Sequence, residues 1–296
     1  MNYIDITDKK IIAAHQNHFD ELMILLLDRL EKYLTPVNVL YSDWIADNIE
    51  AILLGSPQEI LNLHFKVLPF KYYGYNPLIE KVFNYTSWFT SKKETIYDAY
   101  ELAKNLDINS CTYCNRQYTK TVVKGKDKIT RPQFDHWFPK EDYPLLALSF
   151  YNLIPSCSTC NASIKGRSQM TLIDHLHPYV DSGRSIIFGF DMKTHNTHDF
   201  KVKDGGDRKV RNTINFFKIQ EIYETHMDEI DDLVKIKKKY STAYLSNLRR
   251  ILKDTSISNE EIYRLAFSTY INDKDFDKRP LSRMKRDLLR ELRIIP

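Results

Sequence analysis

The chain has 296 residues, 43% hydrophobic and 28% charged, with a formal net charge of +4. These proportions describe an ordinary folded protein with ample core and exclude disordered or collagen-like classes. The longest apolar run, Leu22-Met23-Ile24-Leu25-Leu26-Leu27, sits between Glu21 and Asp28. It is far shorter than the ~20 residues that cross a bilayer, so no membrane partner is expected. The opening MNYIDITDKK lacks the layout of a secretory leader, which sets the expectation of a reducing, cytoplasmic environment.

In chain order, residues 1–107 read as an N-terminal helical region. Ile11, Phe19, Leu22, Leu26, Leu30 and Tyr33 recur mostly three or four residues apart, the spacing of one helix face. Ser56-Pro57-Gln58-Glu59 combines a capping box with proline at the first helical position, which predicts a helix through Val67. After a Tyr/Pro/Gly-rich break from Pro69 to Pro77, further helices are predicted over 77–89 and 95–106. Residues 108–170 lose the helical period. Lys124-Gly125-Lys126-Asp127 predicts a turn between two extended runs, Tyr118–Val123 and Ile129–Phe138.

Residues 171–211 form a mixed connecting segment, with short strands predicted over 185–190 and 199–202. Residues 212–296 read as a basic C-terminal helical region. Ile219, Tyr223, Met227, Ile230 and Val234 make one apolar stripe, and Ser258-Asn259-Glu260-Glu261 is a second capping box, opening a helix to Tyr270. Residues 231–296 hold 16 Lys/Arg against 10 Asp/Glu, while the preceding 230 hold 27 against 29. Such a cluster attracts phosphate backbones, and it is also a common solvated helix face. No glycine-rich phosphate loop is present, so ATP hydrolysis by this chain is not expected.

All four cysteines fall in two CxxC pairs, Cys111–Cys114 and Cys157–Cys160. Each pair brings two thiolates onto one ion, and two pairs complete the tetrahedral shell zinc prefers, leaving no odd thiol. Disulfides are the alternative, disfavoured in a reducing compartment. The structural Zn2+ is therefore the first cofactor expected.

Between and beside these pairs lie Asp135-His136, then Asn152, and Asn161 directly after Cys160. A lone Asp-His pair means little. Followed by Asn152-Leu153-Ile154-Pro155-x-Cys157-x-x-Cys160-Asn161-x-x-x-Lys165-Gly166, it resembles the HNH (ββα-metal) nuclease family, in the subgroup with a four-cysteine zinc site around the catalytic hairpin. The likeness covers residues 108–170 and hardly reaches the flanks. It implies an α+β protein in which a zinc-stabilised ββα nuclease core lies between helical regions, and an activity that hydrolyses DNA phosphodiester bonds.

The chemistry suits those residue types. A water attacking phosphorus must lose a proton, and imidazole is the side chain best matched to that near neutral pH, so His136 is the expected general base. A hard cation, Mg2+ or Mn2+, offsets charge on the phosphate oxygens, and Asp135 and Asn161 are the expected ligands. Asn152 matches the family's middle asparagine, which braces the loop that carries the base. Lys140, Lys165 and Arg167 are candidate contacts to substrate phosphates, or else solvated cations.

Adjacent residues on a regular strand face opposite ways, so Asp135 and His136 share a site only if the strand ends there or the phosphate inserts between them. Trp137 and Tyr143 are expected in a small core rather than stacking on bases. His175 and His177 are expected in structural or capping roles. His15, His18, His64 and His226 read as ordinary helix residues, and His195 and His198 carry no assigned role. The resemblance extends to stand-alone HNH effectors of antiphage systems, including the Septu type, which work with a separate ATPase. The competing reading is a non-catalytic zinc-dependent module that binds nucleic acid or protein.

Overall fold

The first helix, α1, spans Lys9–Tyr33 and is capped by Asp8, whose carboxylate accepts the Lys10 N–H. In this computed structural model, which describes residues 1–67, 74–91, 97–184, 186–194, 198–239, 247, 250 and 258–295, its buried stripe is Ile11, Ala14, His18, Leu22, Leu26 and Leu30. Phe19 and Tyr33, expected on that stripe, lie at its margin, half-buried. The stripe instead turns through Ala14 and His18, at the 3.6-residue period of a straight helix. Four shorter helices follow: α2 Val39–Asp47, α3 Ile49–Leu54, α4 Pro57–Lys66 and α5 Asn76–Val82. The predicted capping box is present at Ser56 and Glu59. The segment expected as one helix over 77–89 ends at Val82 and resumes as a π-helical turn, Tyr85–Phe89, begun by the Asn84 side chain. The last N-terminal helix, α6, is Ala99–Leu106, capped by Asp98. The proposed Pro69 to Pro77 break and the start of the 95–106 helix lie partly outside the described residues.

Among the described residues, three small antiparallel pairs complete the mix of helix and sheet. Strands β1 (Val122–Lys124) and β2 (Asp127–Thr130) flank the predicted turn, where Gly125 takes the positive φ of +60°. The extended run expected over Ile129–Phe138 is two strands rather than one. Pro132 has no N–H to donate to a ladder, and the chain leaves β2 before it and enters β3, Gln133–His136, after it. Strand β3 pairs with β4, Leu153–Ser156, with Asp135 opposite Ile154 and His136 opposite Leu153. Strands β5 (Ile187–Met192) and β6 (His198–Lys203) form the third pair.

After β6 come α7 Arg208–Phe216, α8 Ile219–Glu224, α9 Met227–Lys239, α10 Asn259–Phe267 and α11 Ser282–Glu291. The single stripe from Ile219 to Val234 is divided by a turn at Thr225-His226, so His226 is a turn residue. The Ser258 capping box opens α10 as expected.

The chain divides into two compact units. One comprises Met1–Tyr3, Asn109–Tyr118 and Ile173–Pro296; the other comprises Ile4–Ile108 and Thr119–Leu172. In the first, α11 packs on β5, and Asp287 and Glu291 accept the N–H groups of Phe188 and Phe190 at 3.1 Å each. Phe188 and Phe200 close on Tyr223, with ring centroids at 4.5 and 5.9 Å. In the second, α1 packs against α2, α3, α5 and α6, and helices α3 to α5 support the turns of residues 144–152 that connect β3 to β4. No helix among the described residues is long and apolar enough to cross a membrane.

Candidate functional site

The cysteine pairs form two turns of the same kind. In the first, Asn115 N–H donates to the Cys111 carbonyl at 2.8 Å, Arg116 N–H to Cys114 Sγ at 3.4 Å, and Asn115 takes a left-handed φ of +51°. In the second, Asn161 N–H donates to the Cys157 carbonyl at 3.0 Å and Cys160 N–H to Cys157 Sγ at 3.4 Å. The sulfurs of Cys111, Cys114, Cys157 and Cys160 lie within 4.8 Å of one another, and all four residues are buried. Thiolates bound at ~2.3 Å to one tetrahedral zinc stand roughly 3.8 Å apart, so these four sulfurs can hold that ion with little movement. Among the described residues this is the one group of three or more His, Cys, Asp or Glu side chains so placed.

Asp135, His136, Asn161 and Lys165 line a cleft of about 350 Å³ together with Tyr85 and Arg131. His136 is the last residue of β3 and still pairs with Leu153, as Asp135 does with Ile154, and both residues line the cleft. The His136 Nε2 lies 3.0 Å from the Ala147 carbonyl oxygen. A carbonyl can only accept, so Nε2 carries the proton and the neutral ring keeps its lone pair on Nδ1. Burial pushes the imidazole pKa down to about 3, opposed by the Ala147 bond and reinforced by Lys140 and Lys165. The ring is wedged edge-on against Tyr85, centroids 4.4 Å apart.

Asn152 is fully buried at the mouth of β4. Its Oδ1 accepts the Phe138 N–H at 2.7 Å, while Nδ2 donates to the carbonyls of Leu146 at 2.8 Å and Phe138 at 3.2 Å. One amide therefore ties the chain leaving β3 to the turn that supplies Ala147, which in turn fixes His136. Asn161 lies on a π-helix, Thr159–Lys165, closed by the Gly166 N–H to the Asn161 carbonyl at 2.8 Å. Gly166 has φ +51° and ψ −124°, a combination that side chains disfavour. The Asn161 Nδ2 donates to Gln133 Oε1 at 3.0 Å, so its Oδ1, the atom a hard cation takes, is not used in that bond. One carboxylate and one amide make a sparse donor set, suited to magnesium, which keeps several waters.

Lys165 is not the solvated cation that a lysine usually is. It is 2% exposed, and its ammonium donates to the His136 carbonyl at 2.7 Å and pairs with Asp135 Oδ1 at 3.1 Å. Lys140, paired with Glu141 at 2.6 Å, and the exposed Arg167 also line the cleft. Trp137 is fully buried, consistent with a core role. His177 accepts the Tyr179 N–H at 3.3 Å, a turn-capping contact, and His175 packs against Phe216. His195 lies outside the described residues, and His198 sits 3.4 Å from Asp231.

Several cleft residues carried no sequence expectation, among them Gln133, Arg131 and Tyr85. Gln133 stands two residues before Asp135, so the period of two on β3 was the available signal. Arg131 was a basic residue beside the motif. Tyr85, some fifty positions upstream in another element, left no local trace.

No protein-family model matches the chain. No solved structure matches it either. The chain is similar to Septu protein PtuB of Bacillus thuringiensis, 24% identical over 147 residues. The match covers 49% of this chain and 47% of that protein, so the chain spans about half the length of the curated relative it matches.

Proposed function

We propose that this chain is a metal-dependent endonuclease of HNH type that hydrolyses DNA phosphodiester bonds as the effector of a bacterial antiphage system. The observation that carries this reading is the arrangement of His136. Its Nε2 is held by the Ala147 carbonyl, which directs basicity to Nδ1, in a cleft shared with Asp135 and Asn161. The β3–β4 pair followed directly by the π-helix has the strand, strand and helix order that the motif resemblance implies.

His136, neutral at physiological pH, takes a proton from the attacking water through Nδ1. Asn152 keeps the imidazole and its carbonyl partner in register. Asp135 and Asn161 would hold a divalent cation, which would offset the charge on the phosphate oxygens. Arg131, Lys140 and Arg167 face the incoming backbone phosphates. A zinc ion on the four cysteines would fix the start of the π-helix, because Cys160 is covalently adjacent to Asn161. DNA is chosen over RNA because the family resembled is mostly DNA-directed.

The defence role rests on the similarity to the Septu protein. A separate ATPase is proposed as partner only from the motif resemblance to Septu-type effectors. The test is a Mg2+ and Mn2+ titration with supercoiled, linear and single-stranded DNA and with RNA. Divalent-dependent nicking of DNA is the expected result. Binding of nucleic acid without cleavage, in the presence and absence of an ATPase partner, would instead favour the non-catalytic zinc module.

A further inference from the structure

The Lys165–Asp135 pair bears directly on how the cleft admits its cation. Both side chains are almost wholly enclosed, with 1% and 2% of their surface exposed and Nζ 3.1 Å from Oδ1. A carboxylate buried this deeply is costly unless a cation or several donors compensate it. The ammonium is also anchored independently, 2.7 Å from the His136 carbonyl, so it lies at the junction of the two candidate catalytic residues. Lys165 lies four positions after Asn161 on the π-helix, and the Gly166 turn fixes where that helix ends.

We infer that Lys165 is a built-in substitute for the divalent cation: its ammonium neutralises Asp135 until the ion arrives, and competes with the ion for that one carboxylate. This inference rests on the reading of Asp135 as a metal ligand. Two cations cannot share one buried carboxylate oxygen without mutual repulsion, so ion and ammonium compete for Asp135. The hydrogen bond to the His136 carbonyl gives the displaced ammonium a second place to rest without leaving the cleft. Lys165 thus acts as a positioning residue: it keeps the ion-free cleft assembled, at the expense of affinity for the ion.

The test compares the full-length wild type with Lys165→Met and Lys165→Gln. The Gln variant retains a donor for the His136 carbonyl and guards against simple misfolding. Mn2+ affinity is measured by calorimetry, and melting temperature is measured in chelator and in Mn2+. Removing a cation from beside a carboxylate strengthens its hold on another, so both variants should bind Mn2+ at least about tenfold more tightly. They should also melt lower than wild type in chelator and recover more on adding Mn2+. Equal or weaker Mn2+ affinity in both variants, with wild type still binding and cleaving, would overturn the competition while leaving the nuclease reading intact. Absence of Mn2+ binding at this cleft in all three proteins would overturn both.

Discussion

At the scale of single residues, two buried polar groups carry most of the information. Asn152 was expected, from the motif resemblance, to brace the loop that carries His136. Its three hydrogen bonds, spread over Phe138 and Leu146, make it a brace. His18 was invisible in the sequence. A polar residue on an amphipathic helix reads as surface, yet it is fully buried, with Nε2 2.7 Å from the Leu148 carbonyl and Nδ1 3.0 Å from the Tyr97 hydroxyl. Its partners lie 79 and 130 positions away, beyond the reach of any periodicity. Burial pushes its pKa down to about 4 from an ordinary 6.5. The unfolded chain therefore binds the proton more readily. His18 contributes stability that is fully present above pH ~6.5, is lost as pH falls toward 4, and levels off below that. The expected loss across that window is about 3 kcal/mol from this residue. Urea denaturation of wild type and His18→Gln at pH 7 and pH 4.5 measures it, and the variant should show a shallower fall.

At the scale of elements, what was legible had a local cause. The two capping boxes and the Gly125 turn depend on neighbours three residues apart or closer, and all three appear where the spacing placed them. Two predicted elements proved to be divided, one at a proline and one at a turn. Pro132 cut a predicted strand in two, and the Thr225-His226 turn cut a helix in two, although the apolar stripe ran through unbroken. The π-helix at Thr159–Lys165 left no pattern, because its i to i+5 bonding follows from the cysteine turn at one end and Gly166 at the other. The cysteine spacing, by contrast, was enough to anticipate the four-sulfur cluster. Purified protein should carry one zinc per chain by elemental analysis. Cys111→Ser or Cys157→Ser should lose it and melt at a markedly lower temperature, since structural zinc contributes folding energy directly.

For the whole molecule, the basic C-terminal segment changes meaning. Sequence alone left open a phosphate-binding face. Part of its charge is used within the fold: Arg283 and Arg286 are buried and Lys285 pairs with Glu229 at 2.8 Å, while Arg290 and Arg293 are exposed. Arg286 meets Asp273 and Asp287 at 2.7 and 2.6 Å and lies over the Phe276 ring. Leu281 and Arg283 donate backbone N–H groups to Asn115, the residue after Cys114, so this segment braces the first cysteine turn. Breaking a buried ion pair by removing one partner costs about 3 kcal/mol or more. Arg286→Gln should therefore lower stability by that order while leaving the salt dependence of DNA affinity unchanged. A flattened salt slope at unchanged stability would return the segment to the nucleic-acid interface.

Arg131, Lys140 and Arg167 line the cleft beside His136, and the central claim rests on that one imidazole. That claim is tested most directly by plasmid nicking with wild type and His136→Ala, purified in parallel and assayed in Mn2+ with DNA binding measured alongside. Loss of a general base costs about two to four orders of magnitude in rate, and the variant should show that loss while binding DNA as wild type does. Nicking at the wild-type rate by His136→Ala would contradict the account and move the chemistry out of this cleft.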